Sequence, residues 1–113
     1  MVKTSTEVKQ IVEEYVRHLE PDIRVEKIIL YGSYANGQPT EWSDIDLAVI
    51  SENMRGLTQL KRASLLARKR RGCSSLIEAL GYTPEEYENA HRLTFLGEIK
   101  HTGIVIYEAE KQD

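Results

Sequence analysis

Two apolar, β-branched runs separated by a polar stretch that carries glycine constrain this chain more than any other feature. Val25–Tyr31 (Val-Glu-Lys-Ile-Ile-Leu-Tyr) ends directly on Gly32, and Ile45–Ser51 is nearly continuously apolar after Asp46. Runs of this kind, bounded by glycine and polar residues, predict strands. The second lacks alternation, which predicts a central strand covered on both faces. Between them, Gly32–Ser43 holds Gly32, Gly37 and Pro39 and reads as a loop with one helical turn at Ser33–Asn36. Buried strands need cover, so helices must flank them.

The flanking periodicity meets that need. Val8, Ile11, Val12, Tyr15, Val16 and Leu19 form one helical stripe. Thr4 and Glu7 have the capping-box spacing and Pro21 forces an end, which predicts a helix over Ser5–Leu19. A second helix is expected over Gly56–Arg71 with Gly72 at C′, then a third strand over Ser75–Leu80. Thr83-Pro84-Glu85-Glu86 supplies an N-cap, a proline at N1 and two acids in the first turn, a helix start. A short helix over Leu93–His101 and a strand over Gly103–Tyr107 follow. The order predicts an α/β (α+β) fold, a mixed sheet of about four strands with helices packed against it. At 113 residues the chain has room for one domain, 1–113.

Composition narrows the function classes. Fifteen Lys+Arg against 18 Asp+Glu give a net charge of −3, so no global basic field draws nucleic acid or anionic lipid. The single cysteine, Cys73, excludes an internal disulfide and a structural zinc held by cysteine pairs. No apolar run approaches the about 20 residues that cross a bilayer. Met-Val-Lys-Thr-Ser leads straight into the first helix pattern, unlike a secretory leader. A cytoplasmic, membrane-free chain is expected.

The chemistry is concentrated in Leu30-Tyr31-Gly32-Ser33-Tyr34-Ala35-Asn36-Gly37 and Ser43-Asp44-Ile45-Asp46-Leu47. Strand side chains alternate, so Asp44 and Asp46 project to one side about 6.5–7 Å apart. Two such carboxylates repel unless a cation lies between them, and their oxygens suit a hard divalent ion such as Mg²⁺. Upstream, Gly32 permits close backbone approach, and the Ser33 hydroxyl with nearby N–H groups can take phosphate oxygens. A phosphate cradle beside paired carboxylates is apparatus for phosphoryl or nucleotidyl transfer. Two other motifs fail: Gln38-Pro39 replaces the Lys and Ser/Thr of a P-loop, and Ala48 and Val49 occupy ligand and glycine positions of an EF-hand. The plain alternative is that Ser43 caps a turn and both aspartates are solvated.

These residues resemble a known family. Gly32-Ser33, Gly37 and Ser43-Asp44-Ile45-Asp46-Leu47 match the G-S-x3-G-x5-S-D-I-D-L signature of minimal nucleotidyltransferases, within the polymerase-beta-like superfamily. The segment Ile77–Tyr87 looks like the family's third-carboxylate strand and next helix, and Leu93–Glu108 like its closing helix and strand. The resemblance implies that Asp44 and Asp46 ligate two Mg²⁺ ions, with Glu78 as third acid completing the catalytic and metal site. It implies that Gly32, Ser33, Gly37 and Ser43 hold the nucleotide, with ATP as substrate. Glu78 is the only carboxylate in the third strand, although many relatives carry Asp there; its plain alternative is an exposed strand residue. The implied reaction is in-line attack by a hydroxyl on the α-phosphorus of a nucleoside triphosphate, with pyrophosphate leaving.

Small size bears on the acceptor, because a chain of this length is expected to hold no second domain to enclose one. Minimal nucleotidyltransferases of this size typically pair as antitoxins with a HEPN-type ribonuclease, so the resemblance implies AMP transfer to a partner protein of that type. Two alternatives stay open: transfer to a small molecule such as an aminoglycoside, and a non-catalytic nucleotide-binding regulator. The reading argues against nucleic acid as direct substrate and leaves homo-oligomerisation open.

Weaker signals complete the reading. Lys61, Arg62, Arg68, Lys69, Arg70 and Arg71 form a basic segment that either meets phosphates, tRNA or an acidic partner face, or is a solvated helix end complementing its dipole. His18, His91 and His101 lack metal-ligand spacing, and Cys73 is expected to be a bystander. Trp42 either stacks on a base or partner, or lids the core.

Overall fold

The computed structural model describes residues 2–110. In chain order these form α1 (Ser5–Leu19), β1 (Lys27–Tyr31), β2 (Ile45–Ile50), a 3-10 turn (Glu52–Met54), α2 (Gln59–Lys69), β3 (Ile77–Tyr82), α3 (Pro84–Glu88), α4 (Phe95–Thr102) and β4 (Ile104–Glu108). The four strands make one mixed sheet ordered β3-β2-β1-β4. β1 runs antiparallel to both β2 and β4, while β3 pairs parallel with β2. A parallel pair needs a long crossover, and α2 provides it.

Alternation divides the sheet into two faces. One carries Ile28, Leu30, Ile45, Leu47, Val49 and Ile77 under the apolar stripes of α1 and α2. The other carries Ile29, Ala48 and Ile50, covered by Ile99 of α4 with Tyr31, Tyr82 and Tyr87 half-buried around them. β2 is buried along its length except at Asp46, as expected of a strand covered on both sides. Tyr15 of α1 reaches across the larger core and donates its hydroxyl to the Leu66 carbonyl of α2 at 2.7 Å.

The outer edge of β3 is closed by two arginines of α2. Arg70 Nη1 donates to the Ile77 carbonyl at 2.7 Å, and Arg62 Nη1 to the Gly81 carbonyl at 3.2 Å. Arg62 also donates to Leu57 O at 2.9 Å and pairs with Glu86 at 2.7 Å, with only 7% of its side chain exposed. The opposite edge, β4, keeps Ile104 and Val105 exposed.

Several expected boundaries shift. α2 begins three residues later, at Gln59, because Thr58 caps it by accepting from Lys61 N at 3.2 Å. Gly72 does take a left-handed φ of +87°, but lies two residues past the cap Arg70, one beyond C′. β3 starts at Ile77 and runs to Tyr82, two residues downstream of expectation, because Ser74 Oγ accepts from Leu76 N at 3.2 Å and holds a turn.

Candidate active site

Three strands bring the chemistry-bearing residues into one row. Asp46 on β2 is the register partner of Tyr31 on β1 and of Glu78 on β3. Register partners share a face and adjacent strands lie about 4.8 Å apart, so Tyr31, Asp46 and Glu78 stand side by side. Asp44 is exposed one residue before β2 begins. Burial, first, and the nearby charges of Glu78 and Asp44 push the Asp46 carboxyl above its ordinary range.

The loop after β1 is shaped around this row. Gly32 adopts φ +76°, and its carbonyl accepts from Ala35 N at 3.1 Å and Asn36 N at 3.0 Å, forming the expected helical turn. A Cβ on Gly32 would lie 2.4 Å from Asp46 Oδ2, so the bare backbone is what lets the turn rest on that carboxylate. Ser33 is half-buried in the same turn. Gly37 has φ +74°, and a Cβ there would meet nothing within 4 Å, so it serves the turn's conformation rather than a close approach. Ser43 closes the loop: its Oγ accepts from Thr40 N at 2.8 Å.

The donor set fits a hard divalent cation. Among the described residues, Asp44, Asp46 and Glu78 form no salt bridge, and Asp46 feels both other carboxylates as like charges. Oxygen donors with uncompensated negative charge are what Mg²⁺ selects. As they lie, no three His, Cys, Asp or Glu side chains among the described residues are grouped tightly enough to hold an ion. Ligation by all three acids therefore requires their side chains to draw together.

The structure also shows aromatic neighbours that the motif reading passed over. Burial, then Asp46, Tyr82 and Glu78, push the Tyr31 hydroxyl up to about 12. Phe95 of α4 meets Tyr31 edge-on with ring centroids 5.7 Å apart. Tyr31 was discoverable from its place beside Gly32; Tyr82 and Phe95 carry no local signal.

Other candidates resolve differently. Of the basic segment, Arg62, Lys69 and Arg70 are engaged inside the fold, with Lys69 paired to Asp22. Cys73 Sγ lies 3.1 Å from His18 Nδ1, yet burial and Glu14 raise its thiol pKa despite the opposing pull of Arg17, so the preceding basic run does not activate it. Trp42 is 84% exposed and does not lid the core. No helix is long and apolar enough to cross a membrane among the described residues.

With this geometry in place, comparison with known proteins is decisive. A family described as "Nucleotidyltransferase domain" matches residues 8–99, a span that includes the turn, the row, α2 and most of α1. The chain belongs to the nucleotidyltransferase domain family. Two proteins of Methanocaldococcus jannaschii named "Putative protein adenylyltransferase" are 44% and 40% identical over 48 residues, each covering 42% of this chain and 48% and 56% of theirs. The match thus spans about half the length of these relatives. A third of that name is 24% identical over 102 residues, covering 88% of this chain and 99% of its own. Among solved structures, a putative nucleotidyltransferase from Sulfolobus solfataricus superposes with a TM-score of 0.68 at 16% identity, covering 98% of this chain and 93% of that one. A toxin–antitoxin structure with AMP-PNP gives 0.60 at 21% identity, covering 90% and 74%. Both share the fold of this nucleotidyltransferase domain.

Proposed function

We propose that this domain transfers AMP from ATP to a hydroxyl of a partner protein, and that the partner is a HEPN-type toxin to which it acts as antitoxin. The observation that carries the reading is the Asp46–Glu78 register pair with the Gly32 turn resting on Asp46. The names of the related proteins and the AMP-PNP of the toxin–antitoxin neighbour support the nucleotide and the class of acceptor.

In this reading Gly32 and Ser33 hold the terminal phosphates, with Gly37 shaping the turn and Ser43 fixing the loop that presents Asp44. Asp44, Asp46 and Glu78 are the residues that would hold Mg²⁺. When bound, two such ions would neutralise charge on the attacking and leaving oxygens of an in-line displacement. In this reading the half-buried Asp46 would orient the nucleotide, and the exposed Glu78 would be the acid open to the incoming hydroxyl.

The test is incubation with Mg²⁺, α-labelled ATP and a HEPN-type protein encoded beside this chain's gene. Label should pass to that protein with the wild type and not with Asp46→Asn; equal labelling by both sinks the assignment. A second reading, a nucleotide-binding regulator acting by contact, is favoured by the three carboxylates standing apart. It predicts nucleotide binding without transfer by the wild type. Label appearing on an aminoglycoside and on no protein would reassign the acceptor.

A further inference from the structure

From Asn53 to Ile77 the chain contains seven arginines and lysines and no acid. The fold uses four of them. Arg55 meets Glu52 and Glu85, Arg62 meets Glu86, Lys69 meets Asp22, and Arg70 caps the Ile77 carbonyl. Lys61, Arg68 and Arg71 remain exposed, with no ion pair among the described residues.

These three cations are not scattered. Lys61 and Arg68 lie two turns apart on one face of α2, and Arg71 follows in the turn just past its end. Leu57 and Leu60 lie at the other end of the same face, Leu60 with 77% of its surface exposed. Together with Ser64 and Ala67 they line an open groove of about 710 Å³ with no acidic wall. Ala67 is also a wall of a neighbouring groove of about 360 Å³ that reaches Glu78 and Tyr31.

We propose that the outer face of α2 docks an acidic face of the partner protein. An apolar side chain of the partner seats between Leu57 and Leu60, and its carboxylates face Lys61, Arg68 and Arg71. This inference rests on the protein-acceptor reading above. Charge complementarity selects the occupant. A second copy would bring α2 against α2, cation against cation, which repels. Nucleic acid would gain only about three phosphate contacts, and the groove offers an exposed leucine and no aromatic for bases to stack on.

The test measures binding of fluorescent probes to the full chain by anisotropy. The main probe is an acidic amphipathic helical peptide of about 20 residues, with leucines along one face and glutamates beside them. Its lysine-for-glutamate counterpart and a single-stranded RNA are the comparison arms. The acidic peptide should bind and weaken as salt rises. Its affinity should fall about tenfold or more, both in Leu60→Asp and in the triple variant Lys61→Glu, Arg68→Glu, Arg71→Glu. ATP binding, followed by calorimetry, should be unchanged in both variants, showing that they fold. No binding of the acidic peptide, equal binding of the lysine peptide, or tighter binding of the RNA overturns the proposal. The two readings fail separately. Asp46→Asn should keep peptide binding and lose transfer, so transfer surviving in Asp46→Asn defeats the chemistry, while peptide binding surviving in the α2 variants defeats the docking face.

Discussion

A methyl group at position 32 would fall 2.4 Å from Asp46 Oδ2, on a residue whose φ is +76°. Gly32→Ala therefore meets two obstacles at once, a left-handed backbone that costs about 1–2 kcal/mol and a collision with the row. We expect urea denaturation to show that loss and label transfer to drop at least about tenfold, because small displacements of a reacting group cost rate steeply. Asp46 itself makes a prediction of opposite sign. Its carboxyl pKa is raised above 3.8 in the fold, so the folded state holds a proton that the unfolded chain has already released. Stability is therefore lost as pH rises from 3.8 through the raised value, and the deficit persists at neutral pH. Asp46→Asn should melt higher than wild type in metal-free buffer at pH 7, and the gap should close below pH 3.8. Added Mg²⁺ should raise the melting temperature of the wild type and leave Asp46→Asn where it was. The aspartate pair and the Gly-Ser turn were readable from the fifteen residues Gly32–Asp46. The partnership of Asp46 with Glu78 was not, since it depends on parallel pairing of two strands that α2 separates in the sequence.

Elements differ in how plainly their ends are written. α1 and α3 begin where expected because reciprocal caps mark them: Thr4 with Glu7, and Thr83 with Glu86. β3 is less plain, because Gly81 and Tyr82 look like a break after the strand. Gly81 belongs to the strand for a tertiary reason: a Cβ there would lie 2.6 Å from Met54 Sδ, and the missing side chain admits the turn that Met54 anchors. The contacts that tie α2 to its neighbours are equally non-local and can be weighed. Tyr15→Phe removes the bond to Leu66 O in the last turn of α2, where carbonyls run short of helical partners, and should cost about 1–2 kcal/mol in urea unfolding. Arg62→Ala removes three bonds from a buried guanidinium. Because the Glu86 side chain is 42% exposed and can rehydrate, the expected loss is about 2–3 kcal/mol rather than the full cost of a stranded buried charge. Burial pushes Glu86 upward, but its bonds to Arg62 and Thr83 outweigh that and hold its pKa below 4.5. The pair's contribution is thus present above pH 4.5 and lost as pH falls through the lowered value, so Arg62→Ala should flatten the acid limb of the stability curve.

At the scale of the whole molecule, the two faces of the sheet divide the work. The larger core under α1 and α2 holds the shape, and the thinner face under α3 and α4 presents the carboxylates. This division follows from strand alternation once the order β3-β2-β1-β4 is known, and no local sequence signal gives that order. The arginines on β3 have a consequence for growth. With Arg62 and Arg70 bonded to the Gly81 and Ile77 carbonyls, that side of the sheet is obstructed against another strand, while β4 offers exposed Ile104 and Val105. Joining through β4 uses up the less obstructed edge of the sheet formed by the described residues. Sedimentation at rising concentration should therefore show no species beyond a pair, and Val105→Lys should hold the chain as a monomer. A sheet with one obstructed side favours closing on a twin over propagating into a fibre.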